Sequence, residues 1–117
     1  MSAQNNEYQS DLERSVCVIA GREIVFDKDG FFMHFEDWSE EVFEYLARES
    51  GLSEVRDEHW LVIRFLRSFF AYNRRAPLHR QLKEGTNMSL LELEALFPGG
   101  LKTGARRMAG LPNPKTC

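Results

Sequence analysis

The sequence contains little cysteine and no long apolar run. Its 117 residues include two cysteines, Cys17 and Cys117, about a hundred positions apart. This number and spacing exclude a disulfide framework and the paired CxxC spacing of a structural zinc site. No apolar stretch approaches the roughly 18 residues that a membrane-spanning helix needs, and the polar, partly acidic start differs from a signal peptide. We therefore expect a cytoplasmic protein whose cysteine chemistry uses single thiols.

Motifs for nucleotide or metal binding are also missing. The sequence has no GxGxxG pattern, no Walker loop and no HExxH pair, and His34 and His79 lack partners at ligand-like spacing. We therefore expect neither a cofactor nor a metal ion. His59, near the start of a predicted helix, could orient a thiol, but a local hydrogen-bonding role is the favoured interpretation.

Acidic residues become scarce in the second half of the chain. Residues 1–61 carry 15 acidic and 5 basic side chains, whereas residues 62–117 carry 3 acidic and 10 basic ones. The basic half should project a positive field that steers an anionic partner. The alternative is that the two halves attract each other within the fold.

The length and composition predict one small globular domain with polar ends. A chain that is 43% hydrophobic and 12% aromatic can bury one modest core. Residues 1–14 lack apolar periodicity and are predicted to form a disordered leader. The globular domain is expected over residues 15–109, and residues 110–117 should form a flexible C-terminal arm.

The fold class indicated by the pattern is α+β, mostly α. Two β-branched and aromatic runs within residues 16–33 predict a small N-terminal hairpin or three-stranded meander, with Cys17 as a core residue of its first strand. The hairpin must pack on something else, because an isolated hairpin is marginally stable. Apolar residues at helical spacing predict the helices that cover it. These helices are expected near residues 40–50, 57–73, 78–83, 90–96 and 102–109.

The residue that indicates chemistry is Cys117, because it ends a tail stiffened by Pro112 and Pro114. Most unpaired cysteines are buried as small hydrophobes, whereas a thiol at the end of an extended arm can reach two partners in turn. Lys115 and the basic half would favour the reactive thiolate, and a chain-terminal carboxylate would oppose it. The alternative is an incidental terminal cysteine.

The C-terminal sequence resembles the signature of the DsrC/TusE family, which reads LFPxGP, then AGLPKP, two residues and a cysteine. The matching stretches here are Leu96–Gly100 and Ala109–Cys117. Further matches lie upstream in the same order, so the resemblance covers about residues 16–117. They are Gly21–Glu23, Asp27–Phe31, Asp37–Trp38, Glu58–Trp60, Phe65–Arg67, and Ala76–Pro77 with Arg80.

The resemblance implies a sulfur-relay protein that carries a persulfide on Cys117. TusE-like members take sulfur from a donor complex and pass it to the enzyme that thiolates the tRNA wobble uridine. The implied partners are therefore a sulfur-donor complex and a sulfur-acceptor enzyme, with an indirect tRNA association and no membrane span. The implied fold is a small hairpin packed on an orthogonal helical bundle.

The resemblance also separates two branches of the family. DsrC-like members, the gamma subunits that work with dissimilatory sulfite reductase, use a second cysteine eleven positions upstream to close a disulfide or trisulfide. Arg106 occupies that position here. Because a guanidinium cannot form a sulfur bridge, the single-thiol sulfurtransferase of the TusE type is favoured. Arg80, Arg106 and Lys115 are the candidates for supporting the thiol.

A different class of function is also compatible with the pattern. Helices over residues 57–83 followed by a basic half could form a helix-turn-helix-like surface that binds nucleic acid. The acidic first half would repel phosphate, however, and no base-reading motif is evident. We therefore keep this as an alternative to the sulfur carrier.

Overall fold

The computed structural model describes residues 14–114. The predicted leader, residues 1–14, lies outside the described residues except for Arg14. Lys115 and Cys117 also lie outside them. Between residues 14 and 114, no helix combines the length and the apolar character needed to cross a membrane.

The N-terminal hairpin is confirmed. Strand β1 (Ser15–Ile19) pairs antiparallel with β2 (Arg22–Phe26). Ala20 and Gly21 connect them with positive φ angles of 54° and 78°, the backbone of a two-residue turn that matches the twist of the strands. Within the described residues 14–114 no third strand pairs with the hairpin, and an isolated bridge joins the end of β2 to Phe32.

Helices make up most of the remaining fold. They begin with a short 3₁₀ turn (Phe35–Asp37), followed by α1 (Glu40–Glu49), α2 (Asp57–Asn73), α3 (His79–Thr86) and α4 (Leu90–Leu96). Helix α2 has the limits predicted from the sequence. The α+β class with a hairpin on a helical bundle is therefore confirmed.

Side-chain caps explain where two of the helices begin. The Ser39 hydroxyl accepts a hydrogen bond of 3.2 Å from the backbone N–H of Val42 at the start of α1. At the start of α4, Ser89 and Glu92 form a reciprocal capping box, with bonds of 2.9 and 3.1 Å. These bonds satisfy N–H groups that have no partner within a helix.

The hydrophobic core surrounds helix α2. Its residues Val62, Ile63 and Leu66 are fully buried. Phe65, Phe69 and Phe70 of the same helix are only half-buried, and Phe65 and Phe70 pack against the edge of this core. The core also includes side chains from β2, α1, α3, α4 and the segment after α4: Ile24, Phe26, Val42, Phe43, Leu82, Leu93, Phe97, Leu101, Met108 and Leu111.

The last predicted helix is present but has an unexpected form. It begins at Gly100 rather than Lys102, and Gly100–Arg106 is π-helical. The wider turn brings Gly104 against the carbonyl of Pro98, where an added Cβ would lie 2.5 Å from the oxygen. Apolar spacing alone does not reveal such a wide turn, which commonly marks a functional region.

The prediction that Cys17 is a core residue is wrong. Cys17 is exposed, and its neighbours Val16 and Val18 are 59% and 70% exposed. The helices cover β2, where Ile24 and Phe26 are buried, whereas β1 is exposed except at Ile19. Cys17 therefore lies on the exposed strand of the hairpin, opposite the buried Ile24.

Candidate functional site: the C-terminal arm and an arginine-lined cavity

The root of the C-terminal arm is fixed by two side chains from other parts of the fold. Trp38 donates its indole N–H to the carbonyl of Met108 at 2.8 Å, and Arg67 donates from Nη1 to the carbonyl of Ala109 at 2.9 Å. Arg67 also donates to the carbonyl of Phe35 at 3.2 Å. The path of the arm is therefore set by long-range hydrogen bonds to its backbone.

Aromatic rings enclose the Arg67 guanidinium. Its central carbon lies 3.8 Å from the ring centre of Phe35 and 4.3 Å from that of Trp38, distances at which a cation is attracted to an aromatic face. Burial lowers the pKa of Arg67 to about 10. The guanidinium therefore still carries its charge at neutral pH.

Gly110 turns the chain from the last helix into the arm. Its φ is 81°, in the region that glycine adopts readily. An added Cβ would lie 2.9 Å from both Arg67 and Trp38, so the root has no room for a side chain. The close approach of Arg67 and Trp38 thus depends on glycine.

The arm is anchored beyond its predicted boundary. Leu111 is 1% exposed and belongs to the hydrophobic core, although the sequence placed the end of the domain at Ala109. Two residues later, Asn113 donates from Nδ2 to the Asp29 carboxylate at 2.7 Å. The described part of the arm is therefore attached to the rest of the fold at Leu111 and again at Asn113.

A cavity of about 380 Å³ lies between the arm and the end of helix α2. This volume is within the range of small-molecule sites. Its apolar and polar walls come from the C-terminal end of α2, the connection to α3, the π-helix and the arm. The lining residues are Phe70, Arg74, Arg75, Ala76, Arg106, Leu111, Pro112, Asn113 and Pro114.

The structure separates two of the predicted thiol-supporting residues. Arg106 lines the cavity, is half-buried, and donates from Nη2 to the carbonyl of Pro77 at 3.4 Å. Burial lowers the pKa of its guanidinium. Arg80 lies on the exposed surface of α3 and is not among the residues that line the cavity. Of these two candidates, Arg106 faces the cavity next to the arm and Arg80 does not.

The third supporting candidate, Lys115, and the predicted catalytic residue, Cys117, lie outside the described residues. Pro114, three positions before Cys117 in the sequence, lines the cavity.

His59 has a structural role and lies away from this cavity. Its Nδ1 accepts from the backbone N–H of Arg56 at 3.0 Å, and Nε2 lies 2.9 Å from the carbonyl of Leu96. One neutral tautomer, with its proton on Nε2, satisfies both bonds. The favoured interpretation of His59 as a local hydrogen-bonding residue is confirmed, and the bond to Leu96 also links α2 to α4.

Sequence reasoning missed Arg67 at the arm root and Arg74 and Arg75 at the cavity, whereas it did single out Arg106. Arg67 is enclosed by aromatic rings. One sequence signal could have identified the arm-root residues, because Trp38 and Arg67 both lie in segments that match the DsrC/TusE pattern.

The comparisons with known proteins agree with this geometry. The family model described as "DsrC like protein" matches residues 18–117. The gamma subunit of dissimilatory-type sulfite reductase from Nitratidesulfovibrio vulgaris is 39% identical over 97 residues, which cover 83% of this chain and 92% of that protein. The sulfurtransferase TusE of Sodalis glossinidius is 35% identical over 104 residues, covering 83% of this chain and 95% of the relative.

A solved structure supports the same assignment. A chain in the crystal structure of dissimilatory sulfite reductase I superposes with a TM-score of 0.82 and 37% sequence identity. The match covers 88% of this chain and 99% of the matched chain. Sequence and fold together show that this protein is a member of the DsrC-like family.

Proposed function

We propose that the protein is a persulfide carrier that accepts sulfur on Cys117 and passes it to an acceptor enzyme. The observation that carries this proposal is that the family match extends to Cys117 itself. Relatives named as sulfurtransferases support sulfur transfer as the general role. We place the relay in the cytoplasm, where unpaired thiols stay reduced.

The chemistry needs a thiolate on Cys117. The thiolate attacks the outer sulfur of a donor persulfide, a new sulfur–sulfur bond forms, and the donor leaves as a thiolate. Delivery repeats the step in reverse, with the acceptor thiolate attacking the sulfur carried on Cys117. Arg106 and Lys115 would stabilise the negative sulfur. We do not extend this role to Arg80, because it is exposed and outside the cavity.

We further propose that the relay uses a single thiol, in the manner of the TusE branch. Arg106 faces the cavity beside the arm, at the position where a two-cysteine member would need its second thiol. The two partners are then a sulfur-donor complex and an enzyme that forms 2-thiouridine in tRNA, so tRNA is contacted indirectly.

The second candidate is a partner of dissimilatory sulfite reductase. It is favoured by the 39% identity to the Nitratidesulfovibrio vulgaris gamma subunit, against 35% for TusE of Sodalis glossinidius. This difference is small compared with the chemical consequence of replacing a thiol by a guanidinium. The single-thiol relay is therefore preferred.

Persulfide loading tests the proposal. Because Cys17 is exposed, each thiol must be tested separately, with Cys17→Ser and Cys117→Ser as matched variants. After incubation with a persulfide donor, intact mass should show one added sulfur atom on Cys17→Ser and none on Cys117→Ser. Loading of Cys117→Ser alone, or of both variants equally, would remove Cys117 from the carrier role.

A further inference from the structure

The cavity beside the arm carries positive charge that the described fold does not neutralise. Arg74, Arg75 and Arg106 line it, and among residues 14–114 none of the three forms an ion pair with a carboxylate. The hydrogen bonds of Arg75 and Arg106 go to neutral oxygens instead. Since three like charges around one cavity repel each other, the entry of an anion is favoured.

The backbone at Arg74 gives an independent indication. Arg74 ends helix α2 with φ 59° and ψ 25°, a left-handed conformation in which glycine is the usual residue. Its guanidinium lies as far as 6.0 Å from the Phe70 ring centre, so ring stacking is weak. An arginine is not the residue that this backbone conformation favours, and its side chain lines the cavity.

The shape of the cavity suits a small oxyanion. Guanidinium groups present paired N–H donors that match the oxygens of such ions. Phe70 and Leu111 supply an apolar wall that strengthens these bonds by lowering the local dielectric constant. A volume of about 380 Å³ leaves room for such an ion.

We propose that the arginine-lined cavity binds sulfite, which then accepts the sulfur carried on Cys117. The proposal rests on the carrier function above. The persulfide would come from Cys117, which follows the cavity-lining Pro114 by three positions in the sequence. Sulfate and phosphate would bind by the same charges, but sulfite also has a lone pair on sulfur and can act as a nucleophile.

The reaction balances without another reagent. The sulfite lone pair attacks the outer sulfur of the Cys117 persulfide and forms a new sulfur–sulfur bond. The bond between the outer sulfur and Sγ breaks, and its electron pair remains on Sγ. The products are thiosulfate and the Cys117 thiolate, with the same total charge of minus three as the reactants. The arginines reduce the repulsion between the two reacting anions.

Binding can be tested without any persulfide. Sulfite and sulfate are titrated by calorimetry into the full Cys117→Ser chain, alone and with Arg75→Gln, Arg106→Gln or Arg48→Gln added. Arg48 is exposed on helix α1 and outside the cavity, so it is the matched control. We expect each cavity substitution to weaken both anions about 10-fold or more and the control to leave them unchanged. Equal affinity in all variants, or no binding, overturns the site.

Transfer is tested on the loaded protein. The Cys17→Ser chain is loaded with a persulfide and mixed with sulfite, and thiosulfate is measured together with the loss of one sulfur atom from the intact mass. The rate should saturate with sulfite and fall about 10-fold in Arg75→Gln and Arg106→Gln, but not in Arg48→Gln. A protein that never loads contradicts the carrier function. A protein that loads but shows no saturation, or equal rates in all variants, overturns only the sulfite inference.

Discussion

Arg67 holds the C-terminal arm through the main chain of Ala109, with a hydrogen bond of 2.9 Å that joins residues 42 positions apart. Replacing Arg67 by alanine should remove this bond, the bond to Phe35 and the contacts with both aromatic rings. The buried Ala109 carbonyl would then lack a partner. We expect the free energy of unfolding to fall by about 3 kcal/mol, measured by urea denaturation.

Arg64 is the matched control for Arg67, because it lies one turn earlier on the same helix. Its bond to Glu40, at 3.1 Å, joins two side chains that are both more than 60% exposed. Arg64→Ala should therefore cost less than about 1 kcal/mol. Equal costs for the two substitutions would contradict the anchoring role of Arg67.

Gly110 should tolerate alanine poorly. Gly110→Ala combines a strained φ of 81° with contacts of 2.9 Å to Arg67 and Trp38, and we expect a loss of about 2–3 kcal/mol. Gly21→Ala measures the cost of the positive φ without the close contacts. The φ of Gly21 is 78°, but nothing lies within 4 Å of a Cβ added there. Gly21→Ala should cost about 1 kcal/mol. If thermal denaturation shows a larger loss of stability for Gly21→Ala than for Gly110→Ala, the arm root is not closely packed.

Arg74 should show a conflict between stability and binding. Arg74→Gly relieves the left-handed strain at the end of α2 and should raise the free energy of unfolding by up to about 1 kcal/mol. The same change should weaken sulfite and sulfate binding. Asn87→Gly is the control, since Asn87 ends α3 with a nearly equal φ of 58° but lies outside the cavity lining. A variant that loses stability and keeps full anion affinity would refute a binding role for Arg74.

The single-thiol assignment can be tested by mild oxidation and peptide mapping. In the Cys17→Ser background, Arg106→Cys should form an intramolecular disulfide with Cys117, because position 106 lines the cavity next to the arm. Arg80→Cys, on the exposed surface of α3, should not. If neither variant forms a bridge, or Arg80→Cys forms one as readily, the arm does not reach the cavity as proposed.

Local signals explain which parts of the fold could be predicted. Helix α2 has its predicted limits because its acidic start, its apolar spacing and its polar end lie within one continuous stretch, Asp57–Asn73. The hairpin was predicted for the same reason, since β1, β2 and their turn are neighbours in sequence. Both rest on interactions between residues that are close along the chain.

The arm root could not be predicted in this way. Contacts of Arg67 with Ala109 and of Asn113 with Asp29 join residues 42 and 84 positions apart, and no periodic pattern records such pairs. The exposure of Cys17 was missed because a strand sequence does not reveal how far neighbouring helices cover it. Conversely, Arg106 could be singled out, because the resemblance marks position 106 and the structure places it at the cavity.

The most direct test of the account is to locate the carried sulfur in the wild-type protein. The protein is loaded with a persulfide donor, the sulfur is alkylated and the chain is digested. The masses of the separate peptides that contain Cys17 and Cys117 are then measured by mass spectrometry. The account predicts the extra sulfur atom on the C-terminal peptide, with the Cys17 peptide unmodified or labelled only slowly. Preferential loading of Cys17, whose thiol is exposed on strand β1, would contradict Cys117 as the sulfur carrier.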